Sequence, residues 1–245
     1  MASGTAPQPR HERAFYLAFV VAAWAAVVAG FEPSVTQRWR GAADYPAPPI
    51  LVWHVAAVTA WLLLLTAQVL LINRSRLALH RNLGLTVLVL IPVIVVTGLG
   101  AEIYSQRFFS PKYPENLRFF IAPIMEMLAF TIAATLAVVK RRNSAAHKRL
   151  ILIATSVLLT AAYSRWWGEP LYSAFGDGLG GVILHNFAGP NLLIALAAVH
   201  DWWRTGRIHP VYLVAGPAVL GGELVASFIY HSDAWPTLAR RLVGL

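Results

Sequence analysis

Asn73-Arg74-Ser75-Arg76-Leu77-Ala78-Leu79-His80-Arg81-Asn82-Leu83-Gly84 is a short basic turn set between two uncharged apolar runs, Ile50 to Ile72 and Leu85 to Ala101. A bilayer core about 30 Å thick needs about 20 apolar residues in helical conformation, so each run is of membrane-spanning length. A second turn, Lys140-Arg141-Arg142-Asn143-Ser144-Ala145-Ala146-His147-Lys148-Arg149-Leu150, has the same construction. Superposing His80 on His147 places Arg81 on Lys148 and Leu83 on Leu150, an offset of 67 residues. That offset holds one helical hairpin and its linker, which suggests a weak tandem repeat with both basic turns on one membrane face. Basic turns between membrane helices are common, so chance competes with duplication.

Composition agrees with the class that these runs set. Hydrophobic residues make up 58% of the chain and charged residues 13%, against roughly 25% charge in soluble domains. The apolar segments are too long, and alternate too little, for a membrane barrel. There is no cysteine, which excludes disulfides, thiolate ligands and iron–sulfur clusters. The net charge of +9 does not point to nucleic acid, because the basic residues cluster in turns where they set topology and meet anionic lipid.

Seven spans are expected, at about 14–31, 50–72, 83–104, 117–139, 147–167, 182–203 and 210–230. Residues 1–13 are polar and expected to fray. The first run is too long for a signal-peptide core and lacks a good cleavage site, so it reads as a helix. Pro190 should bend the sixth span. The face with the N-terminus and the turns after the second, fourth and sixth spans is strongly basic, and Glu12 and Asp201 are its acids. The positive-inside rule then puts the N-terminus in the cytoplasm. Trp53, Trp61, Trp166, Trp167, Trp202 and Trp203 lie near proposed span ends, as interfacial rings do. The reading is a single all-α membrane domain over 1–245, in a bacterial inner membrane, with spans 2–5 as a four-helix core.

This topology sorts the histidines by depth. His54 and His185 fall just inside the outer face; His80, His147 and His200 fall at the inner face. Imidazoles at two depths on facing helices suit stacked haem irons. Gly181 and Gly189 flank His185, and Gly84 follows His80, at spacings that share a helix face and would leave flat space for a macrocycle. His185 and His200, about 22 Å apart along one helix, could serve an outer and an inner site. Arg81, Lys148 and Arg149 adjoin the inner histidines and could pair with haem propionates. Against this stands the ordinary role of a histidine in a basic turn, which is to meet headgroups or a helix terminus, and no tight metal signature occurs. Other polar groups set within spans are Gln68, Glu126, Asn186, Asn191 and Glu223. A carboxylate in hydrocarbon is costly, so Glu126 and Glu223 are catalytic candidates, for proton transfer or a quinone contact, beside a structural hydrogen bond.

The turns Leu79-His80-Arg81-Asn82-Leu83-Gly84 and Ala146-His147-Lys148-Arg149-Leu150 resemble those of uncharacterised bacterial multi-helix membrane proteins with HR-x-x-G turns. They are also distantly similar to the transmembrane di-haem cytochrome b family of the ascorbate-reductase type. The resemblance covers about residues 50–167. It implies a four-helix core with two histidine-ligated haems, one per face, passing electrons across the membrane. His80 and His147 match its pattern of ligands a helix pair apart. Ile121, one repeat after His54, departs from it, so an outer haem would draw on His54 and His185.

The expected function is therefore electron transfer by a membrane protein holding one or two b-type haems, with quinone as an exchange partner. The rival is a non-catalytic subunit of a larger membrane complex or a homodimer. A third reading is a seven-helix zinc hydrolase using His54, His185 and Asp177.

Overall fold

The computed structural model describes residues 10–245, and every regular element among them is helical. The elements are α1 (Arg10–Trp39), α2 (Pro49–Asn73), α3 (Leu77–Gly84), α4 (Val87–Phe109), α5 (Asn116–Phe119), α6 (Ile121–Val139), α7 (Ser144–Leu158), α8 (Thr160–Phe175), α9 (Leu179–Thr205), α10 (Pro210–His231) and α11 (Trp235–Val243). Six segments are long and apolar enough to cross a membrane: α1, α2, α3 with α4, α5 with α6, α9 and α10. The pair α7 and α8 is apolar enough only when taken together and is bent by 51° at Leu159, so the spans number six, or seven if this pair crosses as one. The chain is a multi-pass helical membrane protein.

Several boundaries differ from the sequence reading. Residues 10–13, expected to fray, are the first turn of α1; residues 1–9 of that stretch lie outside the described residues. The third span opens with a separate short helix, α3, which carries His80. The turn before it closes tightly: Ser75 takes a left-handed conformation (φ 57°), and Arg76 N–H donates to the carbonyl of Leu71 at 2.8 Å. The matching turn before α7 is capped differently, with the Asn143 side chain accepting from the Ala146 N–H at 3.1 Å. The two turns are thus alike in charge and unlike in local geometry.

The main core draws on α1, α2, α4, α6, α7, α8, α9 and α10, so it extends beyond spans 2–5. Trp61 lies at its centre. The residue is 3% exposed, its indole donates to Thr155 Oγ1 at 3.1 Å, and its ring meets Phe130 edge-on at 5.0 Å. This corrects its reading as an interfacial tryptophan: a buried indole needs an acceptor, and the hydroxyl of α7 supplies one. Trp24 on α1 likewise donates to Thr66 of α2 at 3.1 Å.

A second, smaller core sits at the opposite end from the basic turns, where Trp235, Ala239 and Val243 of α11 pack on Leu117, Phe120 and Ile121. Arg118 holds this corner by donating to the carbonyl of Tyr230 at 2.8 Å, and Trp235 donates back to the Arg118 carbonyl at 3.1 Å. The sequence reading left this segment as a tail, although Pro236 in its first turn, Arg240 and Arg241 in its last and Gly244 at its end are the marks of a short amphipathic helix.

Candidate functional site

The two basic turns meet. The imidazoles of His80 and His147 stand nearly perpendicular, at 86°, with ring centroids 6.5 Å apart. His147 Nδ1 lies 2.8 Å from the carbonyl oxygen of Ala137, in the last turn of α6. A carbonyl only accepts, so Nδ1 carries a proton; in the neutral ring this leaves Nε2 as the nitrogen able to bind a metal. Metal-bound histidines commonly have that arrangement, with the far ring nitrogen donating to a backbone carbonyl. His80 and His147 are thus the two residues at this end whose imidazoles could hold an iron between them.

The surroundings of His80 are unusual in one respect. Its Nδ1 is buried without a hydrogen-bond partner, and so are both amide atoms of Gln68. Gln68 Nε2 lies 3.5 Å from the point that a Cβ on Gly84 would occupy. The bare face of Gly84 is thus turned to Gln68, and the space expected there for a macrocycle is taken up by that amide.

The charges near these histidines are largely committed elsewhere. Lys148 pairs with Glu12, and Arg149 makes a bidentate pair with Asp201 at 2.6 and 2.8 Å, each side chain only 11% exposed. A propionate contact from Lys148 or Arg149 would have to break these pairs; Arg81 is exposed at the same end. His200 is stacked on Phe15 of α1, centroids 4.0 Å apart and 11° from parallel, a packing role at the α1–α9 seam.

His54 and His185 have separate surroundings. His54 Nδ1 is 3.3 Å from Thr97 Oγ1, whose own hydroxyl donates to the Val93 carbonyl at 2.6 Å. Thr97 therefore accepts from the ring. His54 Cε1 and Met127 Sδ both crowd the side of Gly98, at 3.0 and 3.1 Å from where its Cβ would be. Met127 and Thr97, neighbours of His54 that its local sequence does not reveal, replace the expected partner His185. His185 instead meets the ring of Tyr172 edge-on at 5.7 Å, and its Nε2 is buried without a partner. It borders a cavity of about 430 Å³ with Phe119, Arg165, Glu169 and Asn186. The glycines flanking it do not clear space for a macrocycle. A Cβ on Gly189 would strike the ring of Tyr163, and one on Gly181 would strike the carbonyl of Gly176. These glycines permit close helix packing, as small residues do between membrane helices.

The two carboxylate candidates part company. Glu223 is buried and accepts a 2.6 Å hydrogen bond from Asn191, which ties α10 to α9. Glu126, also buried, makes no side-chain hydrogen bond or ion pair among the described residues. Among those residues no group of three or more His, Asp or Glu side chains could hold a metal ion, so a zinc site of His54, His185 and Asp177 gains no support. Comparison with protein-family models, curated proteins and solved structures finds no match to this chain.

Proposed function

We propose that this protein is a b-type haem protein of a bacterial inner membrane, oriented with its basic turns and N-terminus in the cytoplasm, which moves electrons within or across the bilayer. The observation that supports it is the approach of His80 to His147 where the two basic turns meet, with His147 Nδ1 committed to the Ala137 carbonyl. His80 and His147 are the residues that would hold the haem iron, each through Nε2. When bound, the haem would supply reversible one-electron exchange at a potential set by its ligands and its burial.

The chain's own contribution is positional. The α6 carbonyl fixes the tautomer and ring plane of His147, which keeps its basic nitrogen aimed away from α6. The Arg149–Asp201 and Lys148–Glu12 pairs lock the turn that carries His147 to α9 and α1.

A reduced-minus-oxidised absorption spectrum of protein purified in mild detergent, expressed with adequate haem supply, tests the reading. A b-type difference signal, lost in His80→Ala and His147→Ala, supports it. A flat spectrum from folded wild-type protein rejects it.

A further inference from the structure

We propose that α11 lies in the plane of the membrane at the end opposite the basic turns, with Leu238 and Leu242 set among lipid acyl chains and Arg240 and Arg241 among phosphate headgroups. The proposal is independent of any haem.

The ends of α11 fix its level. The indole of Trp235, its first residue, donates to the Arg118 carbonyl at 3.1 Å, and the carbonyl of Val243, its last, accepts from Arg107 Nε. Arg107 stands two residues inside the end of one apolar segment, Leu77–Phe109, and Arg118 two residues inside the start of the next, Asn116–Val139. Successive spans join at one face, so both tethers lie about 3 Å inside the span ends, at 1.5 Å per residue. A helix held at both ends at one depth runs along the membrane surface rather than away from it. It is also sunk beneath that surface. The cluster that its buried stripe completes includes Ala226, which is fully buried. Ala226 is about 8 Å in from the end of α10.

The sequence divides the surface of this helix three ways. Trp235, Ala239 and Val243, spaced by four, are buried. Leu238 and Leu242, each three residues on from one of these, lie about 60° round the helix and are 50% and 53% exposed. Arg240 and Arg241 take most of the remaining arc; both are exposed, and neither forms a salt bridge among the described residues. A wide apolar arc with basic residues on the other side is the pattern of helices that lie in the interface, apolar face against the acyl chains and basic face among headgroups. Guanidinium N–H groups donate to phosphate oxygens, which accept. The two arginines therefore complement the headgroup layer, and the leucines the hydrocarbon just beneath it.

The chain has no cysteine, so Leu242→Cys and Arg240→Cys each carry a single thiol for an environment-sensitive nitrobenzoxadiazole dye. Neither change touches the buried stripe. The test is fluorescence in liposomes of phosphatidylcholine and phosphatidylglycerol, with iodide supplied on both sides of the bilayer. Dye at Leu242→Cys should emit with a blue shift, lose intensity to lipid bearing a nitroxide high on the acyl chain, and be shielded from iodide. Dye at Arg240→Cys should emit further to the red and be quenched by iodide. Equal quenching by iodide at both positions places α11 in water and overturns the proposal. Shielding of Leu242→Cys from both quenchers means that protein, a second copy or another partner, covers the leucines, and it overturns the proposal equally.

Discussion

His80 and His147, 67 residues apart in the chain, bring their rings to a centroid separation of 6.5 Å where the two basic turns meet. No other two histidines among the described residues pair their rings this way. If this pair holds the iron, His80→Ala and His147→Ala should each abolish the haem spectrum. His54→Ala, His185→Ala and His200→Ala should retain it. Spectra of the five purified variants decide the assignment, and loss of signal only in His54→Ala or His185→Ala would move the site to the outer half.

Removing one member of the Arg149–Asp201 pair leaves a charge buried and unpaired, which is costlier than the pair itself is stabilising. Arg149→Ala and Asp201→Ala should each destabilise the protein by about 3 kcal/mol, read from thermal or denaturant unfolding in detergent. The double variant Arg149→Met/Asp201→Leu should recover most of that loss, since it buries no charge.

Trp61→Phe keeps the apolar contact with Phe130 and deletes the bond to Thr155, whose hydroxyl is fully buried. An orphaned buried hydroxyl costs about 1–3 kcal/mol. Adding Thr155→Val should return part of it, and a double-variant cycle measures the coupling.

Glycine substitutions should separate packing sites from open ones. Gly189→Ala forces a methyl group into the ring of Tyr163 and should cost about 1–3 kcal/mol. Gly216, on α10, has nothing within 4 Å of its Cβ position, so Gly216→Ala should be neutral or stabilise the helix by up to about 1 kcal/mol. Melting temperatures of the two variants should therefore move in opposite directions, or only the first should move.

His209 caps α10, its Nδ1 accepting the N–H of Val211 at 3.1 Å, and only the unprotonated nitrogen can do so. Burial, then the nearby Arg149, holds its pKa below the ordinary value. The folded state therefore resists a proton that the unfolded chain accepts near pH 6.5. The cap's contribution is complete above that pH and is lost as pH falls towards the folded pKa. Stability measured from pH 7.5 down to 5 should drop for wild type, and less steeply for His209→Asn, which caps without titrating in this range.

How much could be read in advance depended on whether the signal was local. The turns at Arg74–Arg81 and Lys140–Arg149 announce themselves through charge between apolar runs; the helices they join lie where spans are expected, but the last of them is broken at Leu159 and runs on to Phe175. His80 and His147 were legible as a pair because each opens a span on the same face. The proposed partnership of His54 with His185 was drawn from equal depth alone. Depth along the normal does not fix which helix face a side chain occupies, and His54 meets Thr97 and the Met127–Gly98 contact instead. The same limit applied to Gly181 and Gly189, which fit tight packing as well as they fit open space.

The sequence by itself determined the solvent of this protein and where its long apolar helices lie, because hydrocarbon admits backbone only as long, internally bonded helices. It also determined which turns are basic, and hence which ends belong together. Only the tertiary structure decided which polar groups are spent and which are free. Arg149 is answered by Asp201, Glu223 by Asn191 and Trp61 by Thr155, while Gln68 and His80 Nδ1 are left without partners. In a bundle that is apolar on every side, the rotation of each helix is set by packing against its neighbours, and one strand of sequence carries no record of that rotation.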